Sequence, residues 1–251
     1  MCTDCGCNIN KQHTILNKES AQVHTPHREP LVIDMHRSLL FNNDQQAVRN
    51  RELLAQHNIT AINLMSSPGS GKTTLLERTI DERSHHCRIA VIEGDLETEN
   101  DARRIRAKGV EAIQVTTGNA CHLDATMVDN ALQQLDLTQI DLLFIENVGN
   151  LVCPASFDLG QHRNVTLLST TEGDDKPEKY PVIFRASDLM LLTKSDLLPL
   201  LDDFDPQRAA HSLASVAGTT LLLQLSAKTG DGFTQWLAWL NDSQKKVQLS
   251  T

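Results

Sequence analysis

Ser66-Ser67-Pro68-Gly69-Ser70-Gly71-Lys72-Thr73-Thr74 is the stretch on which the fold turns. It follows an apolar run of strand length at 61–65 and precedes a helical pattern that opens Leu75-Leu76. Strand, glycine-bearing loop and helix in that order form a P-loop, which turns backbone N–H groups and a helix N-terminus toward phosphates. Gly69 and Gly71 permit the tight backbone path. Lys72 would reach the β and γ phosphates, and the Thr73 hydroxyl would ligate Mg²⁺. Pro68, Ser70 and Thr74 complete the expected phosphate-binding set. The strict motif has glycine at the place of Ser66, where the loop leaves the strand. A nucleoside triphosphate is the expected ligand.

Outward from this loop, apolar runs of strand length recur at 61–65, 89–92, 111–115, 142–145, 165–168, 189–192 and 221–225, with helix-length segments between most of them. That alternation describes βαβ units and a sheet buried on both faces. The expected class is α/β: a mostly parallel central sheet of about seven strands flanked by helices. Residues 60–251 form this nucleotide-binding domain, 31–59 a helical lead-in, and 1–30 a polar, flexible tail. Within the lead-in, Asn43 and Asp44 are residues that cap helix N-termini, and Ala47, Val48, Leu54 and Ala55 follow at helical spacing. A helix starting after Asn43 and Asp44 is the expectation.

The 251 residues carry 23 Lys and Arg against 32 Asp and Glu, a net charge of −9. That sign argues against a broad footprint on nucleic acid or an anionic membrane. No stretch approaches the roughly 18 apolar residues of a membrane span, and Met1-Cys2-Thr3-Asp4-Cys5 lacks the basic flank and apolar run of a secretory signal. A cytoplasmic protein is expected. In that reducing setting the six cysteines read as ligands, nucleophiles or packing residues rather than disulfides.

Two strand ends point to the base. The run at 189–192 leads into Thr193-Lys194-Ser195-Asp196, and that at 221–225 into Ser226-Ala227-Lys228. A carboxylate such as Asp196 accepts hydrogen bonds from the N1 and N2 donors of guanine, and adenine offers no such pair on that edge. A site built on those bonds leaves an acceptor unpaired with the wrong base. Here the chain resembles GTPases, whose motifs are Asn-Lys-x-Asp and Ser-Ala-Lys, with Thr193 in place of the Asn. The Lys194 stem would pack on guanine, Asp196 would read it, and Ser226, Ala227 and Lys228 would border it.

Two further strands end in acid, at Glu93-Gly94-Asp95 and Glu146-Asn147-Val148-Gly149. Ligands in open α/β sheets bind at the carboxyl ends of strands, so these carboxylates share the crest with the phosphate loop. Asp95 is the choice for contacting Mg²⁺, directly or through water, and for orienting the attacking water. Glu146 is the second candidate, in the place where GTPases carry Asp-x-x-Gly. Lys72, Asp95 and Glu146 thus make up the expected catalytic set. No glutamine follows Gly149 to position water, so intrinsic turnover is expected at about 10⁻⁴ to 10⁻² s⁻¹.

Cys2, Cys5 and Cys7 form Cys-x-x-Cys-Gly-Cys, three soft thiolates on a short segment that can converge on one metal. Softness alone does not choose among Zn²⁺, Ni²⁺ and Cu⁺. A second cluster begins at Cys121-His122, in a loop after the strand that ends at Val115. Adjacent Cys and His do not easily chelate one ion alone, and Cys153, after Glu146 and just before Pro154, is placed to be the third ligand. Cys87 and His85-His86 read as surface or packing residues. With the second cluster on loops flanking the nucleotide, phosphate state and metal affinity would be coupled through the same segments.

Taken together, Cys-x-x-Cys-Gly-Cys, Asn42-Asn43-Asp44, the stretch from Asn63 to Thr73, Glu93-Gly94-Asp95, Ala120-Cys121-His122-Leu123-Asp124, the run from Glu146 to Pro154 and Thr193-Lys194-Ser195-Asp196 resemble the HypB family of hydrogenase maturation GTPases. The resemblance spans all but the tail between about residues 8 and 30. It implies a metallochaperone that binds GTP or GDP with Mg²⁺ and helps insert nickel into the large-subunit precursor of a nickel–iron hydrogenase. It implies as partners a HypA-type zinc-containing accessory protein and a second copy, in a homodimer favoured by GTP. On this view Cys2, Cys5 and Cys7 are a tight nickel site, and Cys121, His122 and Cys153 a weaker site for nickel or zinc. The tail has only isolated histidines, which speaks against nickel storage. The related urease accessory GTPases share this core but lack the Cys2, Cys5, Cys7 motif. An ATP-dependent P-loop ATPase is opposed by Asp196 and Ser226-Ala227-Lys228, and a zinc-stapled adaptor with a dead P-loop predicts no Mg²⁺-dependent hydrolysis.

Overall fold

The computed structural model describes residues 30–96, 99–118 and 120–249. Cys2, Cys5 and Cys7, with the expected tail as far as residue 29, lie outside them. Seven parallel strands form one sheet: β1 Thr60–Ser66, β2 Ile89–Asp95, β3 Glu111–Thr116, β4 Leu142–Glu146, β5 Arg163–Ser169, β6 Leu189–Thr193 and β7 Leu221–Gln224. All seven runs read from the sequence are strands. Their spatial order is β3-β2-β4-β1-β5-β6-β7. The chain fills one side of β1 first, returns beside it with β4, and crosses to β5. β1 thus sits at the point where connections leave in opposite directions, where ligand crevices form in open sheets.

Burial explains the composition of the strands. β1 and β4 are buried at every residue, because helices cover both faces. The edge strands β3 and β7 are only partly buried, so the expectation of burial on both faces holds for the interior strands alone. On one face, α2 (Lys72–Arg83) and α8 (Phe233–Gln248) pack Leu75, Leu76, Ile80, Trp236 and Leu240 against Ile62, Leu64, Val91 and Phe144. Trp236 is fully enclosed, and its indole N–H donates to Thr79 Oγ1 at 3.0 Å. On the other face, α1 (Pro30–Gln56) and α4 (Ala125–Leu132) cover Ala61, Ala90, Ile92, Leu143 and Ile145. Cys87 is buried and His85 and His86 are exposed, as expected of packing and surface residues.

The lead-in departs from expectation at Asn43 and Asp44. α1 is continuous from Pro30 through both, so neither starts a helix; proline is well suited to a first turn because its missing N–H has no partner there anyway. The capping chemistry of Asn43 is used in space rather than in sequence. Its Oδ1 accepts from the backbone N–H of Ala125, the first residue of α4, at 2.9 Å, and its Nδ2 donates to the Asp158 carbonyl at 2.9 Å. Asp124 caps the same helix locally by accepting from Met127 N at 2.8 Å. Two turns further along α1, Asn50 donates to the carbonyls of Ala125 and Leu159 at 2.8 and 3.0 Å. The amide side chains of α1 therefore close backbone groups of other elements that α1 would otherwise bury unpaired.

His162 fixes the entry of β5. Its Nδ1 accepts from Ala61 N at 3.0 Å, while its backbone N–H donates to Ala61 O at 2.8 Å. Burial, then Arg51 and Arg163, push its pKa down from 6.5 to about 4. The unfolded chain therefore binds a proton that the folded chain refuses, and stability present above pH 6.5 is lost as pH falls toward 4. Allowing for partial exposure, the expected loss is about 2 kcal/mol. Urea unfolding at pH 7, 5.5 and 4.5 should show it, and His162→Gln, which keeps an acceptor without the titration, should flatten the slope. An equally steep slope in that variant would assign the acid sensitivity to other groups.

Candidate functional site

The P-loop rises from the buried end of β1 and feeds α2. Gly69 and Gly71 have φ of +74° and +95°, in the left-handed region where a side chain is strained. The carbonyls behind the loop are tied down: Thr193 Oγ1 donates to Ser70 O at 2.7 Å, and Lys194 Nζ donates to Gly69 O at 2.7 Å. Thr193 thus tethers the loop from the position where GTPases carry Asn, which gives that departure a structural use. Ser70 Oγ also lies 2.7 Å from Glu172 Oε1, a contact the sequence reading did not include. With its carbonyl side fastened, the loop turns its N–H groups and the start of α2 toward a cavity of about 480 Å³. Pro68, Lys72, Thr73, Thr74, Asp95 and Glu146 line it, as expected, and so do Glu93, Asp101, Arg104 and Asn147.

Lys72 is buried and donates from Nζ to Ser66 Oγ at 2.9 Å, and Thr73 Oγ1 donates to Glu146 Oε1 at 3.0 Å. The sheet register then does something the sequence does not announce. β2 and β4 are neighbours, and Glu93 pairs directly with Glu146. Both are buried, and Asp101, at the start of α3 (Asn100–Arg106), brings a third carboxylate, with ligand oxygens of all three within 4.8 Å of one another. Burial, then the facing Glu146, push the Glu93 carboxyl far above the ordinary carboxylate range. Burial also raises Glu146, against the pull of Lys72. The Oε2 atoms of Glu93 and Glu146 are buried without hydrogen-bond partners. Orphaned carboxylate oxygens next to a threonine hydroxyl suit Mg²⁺, a hard cation that takes oxygen ligands and shares its sphere with phosphates. Asp95 ends β2 in the same cavity but is not one of the three converging acids. Arg104 pairs with Asp101 at 2.9 Å and Glu77 at 2.7 Å.

The base side is a second cavity of about 250 Å³ that meets the first at Gly71, Thr74 and Lys194. Lys194, Asp196, Ser226, Ala227 and Lys228 all line it. Lys194 adopts φ +58° and ψ +36°, a left-handed conformation rare outside glycine. Ser226 Oγ donates to Asp196 Oδ1 at 2.6 Å, which fixes the carboxylate plane and leaves its other oxygen for a ligand. Two joined cavities, one walled by N–H groups and a lysine and the other by apolar stems and one carboxylate, have the shape and polarity of a nucleotide.

Cys121, His122 and Cys153 converge as expected, with ligand atoms within 4.8 Å of one another. The two sulfurs lie 2.7 Å apart, and His122 Nδ1 is 3.9 Å from the Cys121 sulfur. His122 is buried and stacks on Phe157, ring centroids 3.8 Å apart, which sets the plane of the imidazole. Burial lowers its pKa, so the ring is neutral and its lone pair is available at pH 7. Two thiols and a neutral imidazole make a soft donor set, suited to nickel, zinc or copper(I) and not to Mg²⁺. The two donor sets share a segment: Glu146 begins it, Cys153 ends it, and Gly149 between them sits so close to Pro68 that a Cβ there would come within 2.9 Å.

Comparison with known proteins agrees with this geometry. The family described as CobW/HypB/UreG, nucleotide-binding domain, matches residues 60–218. A hydrogenase maturation factor HypB of Azotobacter chroococcum is 50% identical over 221 residues, 88% of this chain and 72% of that protein. Among solved structures, HypB from Helicobacter pylori in complex with nickel superposes with a TM-score of 0.78 at 38% identity, covering 82% of this chain and 96% of the other. The hydrogenase maturation factor HypB from Archaeoglobus fulgidus gives a TM-score of 0.76 at 38% identity, covering 81% of this chain and 98% of the other.

Proposed function

Because the chain belongs to the HypB hydrogenase maturation factors of the CobW/HypB/UreG family, we propose that it is a slow GTPase whose nucleotide state governs a nickel site and thereby the delivery of nickel to a hydrogenase. The observation that carries this reading is the shared segment. Glu146 faces Thr73, Gly149 abuts the phosphate loop, and Cys153 meets Cys121. A group that responds to the terminal phosphate at one end therefore changes the donors at the other.

In this reading Lys72 and the P-loop amides hold the β and γ phosphates, and Asp196 selects guanine. Thr73, Glu146, Glu93 and Asp101 provide the oxygen donors for Mg²⁺, which when bound supplies charge stabilisation for phosphoryl transfer. Asp95, which lines the same cavity, orients the attacking water. Nickel is cargo: Cys121, His122 and Cys153 hold it in the nucleotide domain, with zinc as a competitor, and Cys2, Cys5 and Cys7 form the tighter N-terminal site. The functional unit is a homodimer favoured by GTP, acting in the cytoplasm with a HypA-type accessory protein and the hydrogenase large-subunit precursor. The nickel complex of a similar protein supports the choice of metal.

The decisive experiment is a titration of the full chain with Ni²⁺ and Zn²⁺, with GDP and with a non-hydrolysable GTP analogue, beside a Cys2, Cys5, Cys7 triple-alanine variant. Expected are a tight Ni²⁺ site lost in the variant and a weaker, nucleotide-sensitive site that remains, with the analogue raising the dimer fraction in sedimentation. Binding without Ni²⁺ preference or nucleotide sensitivity would leave a GTPase with structural cysteines.

A further inference from the structure

Asn147 follows Glu146 directly and is the most enclosed polar residue of the shared segment, only 1% exposed. Its Oδ1 accepts two backbone amides. One is Val148 N at 3.0 Å, on its own segment beside the phosphate cavity; the other is Leu123 N at 3.1 Å, on the loop that carries Cys121 and His122. Its Nδ2 donates to Asn63 Oδ1 at 3.3 Å, and Asn63 Nδ2 donates onward to Asn164 Oδ1 at 3.0 Å, so the carboxamide is anchored across β1 and β5. Leu123 is also held from the other side. Its side chain covers Gly94, between Glu93 and Asp95, so closely that a Cβ on Gly94 would come within 2.7 Å.

A single oxygen atom is thus the junction of the phosphate-facing segment and the metal-binding loop. We propose that Asn147 is a positioning residue through which nucleotide state reaches the Cys121, His122 and Cys153 site. Val148 and Gly149 line the cavity for the terminal phosphates, and a phosphate pressing on them draws Val148 N away from Oδ1. The carboxamide re-centres on its remaining partner, Leu123 N shifts with it, and the adjoining His122 and Cys121 change their aim. The path consists of contiguous hydrogen bonds with no solvent-exposed link. It rests on the proposed nucleotide control of that metal site and names the residue that carries it.

The test uses the full chain with Cys2→Ala, Cys5→Ala and Cys7→Ala, so that only the second cluster reports, with Ni²⁺ as the probe read by thiolate-to-nickel absorption. Affinity is measured with GDP and with a GTP analogue, before and after Asn147→Ala, and near-ultraviolet circular dichroism reports folding. The parent is expected to show a ratio of about 5-fold or more between the two nucleotide states, and the variant a ratio below about 2-fold. A folded variant that keeps the parent's ratio overturns this inference and leaves nucleotide control standing; a parent ratio of one removes both. If Asn147→Ala does not fold, hydrogen exchange on the parent decides. The analogue, without metal, must change protection at the Leu123 and Val148 amides together, and a change at Val148 alone overturns the inference.

Discussion

Replacing Lys72 by alanine is expected to lower GTP hydrolysis by about 10³-fold or more, roughly 4 kcal/mol of transition-state stabilisation. Lys72 is a buried cation of the phosphate cavity, and it pulls against the burial that raises the pKa values of Glu93 and Glu146 behind it. Its removal takes away the donor that follows charge onto the β and γ oxygens. Single-turnover hydrolysis with saturating GTP separates the chemical step from weaker binding. Metal binding by Cys2, Cys5 and Cys7 should be unaffected, and loss of both functions together would contradict the division between tail and nucleotide domain.

Asp196→Asn is expected to weaken GTP by about 10²-fold to 10⁴-fold and to admit xanthosine triphosphate. The geometry makes the exchange directional. Ser226 Oγ donates to Asp196 Oδ1, so an amide in that place keeps its oxygen toward Ser226 and turns its NH₂ into the cavity. There it repels the N1 and N2 donors of guanine and meets the 2-carbonyl of xanthine. Competition between the two nucleotides on both proteins measures the switch. An unchanged preference for guanine would remove Asp196 from the base site.

The sequence made legible those features whose signal is local. The strand run from Ala61, the glycines at 69 and 71 and the Lys72-Thr73 pair sit within thirteen residues and need no tertiary knowledge. Cys121, His122 and Cys153 could be joined because two strand-end loops on one crest are a consequence of the parallel sheet. Glu93 and Asp101 were less visible. Glu93 becomes a partner of Glu146 only because β2 lies beside β4, and strand order is set by crossovers rather than by either strand's residues. The signal available was an acid inside an otherwise apolar strand, in the sequence Ala90-Val91-Ile92-Glu93, which has no business there unless something receives it. Asn43 misled for the opposite reason: its capping chemistry was real, but its helix was eighty-two positions away. Asn147 stands in the sequence only as the residue after a strand-end acid, and only the approach of Leu123 shows what its oxygen holds.

The bond from Asn43 to Ala125 also bears on how this chain tolerates trimming and fusion. α4 begins just after the loop that carries Cys121 and His122, so the first amide beyond His122, Leu123 and Asp124 is held by a side chain that precedes the sheet entirely. Protein engineers seeking a minimal nucleotide domain would be tempted to start at Thr60, where the family match begins. Such a truncation would remove Asn43 and Asn50, uncover Ala61, Leu143 and their neighbours, and slacken the foundation of the Cys121-His122 loop while leaving the phosphate loop whole. A graft that swaps the tail upstream of Pro30 cuts none of these ties. Freedom to exchange what lies upstream of Pro30 and an indispensable first helix are two sides of the same joint.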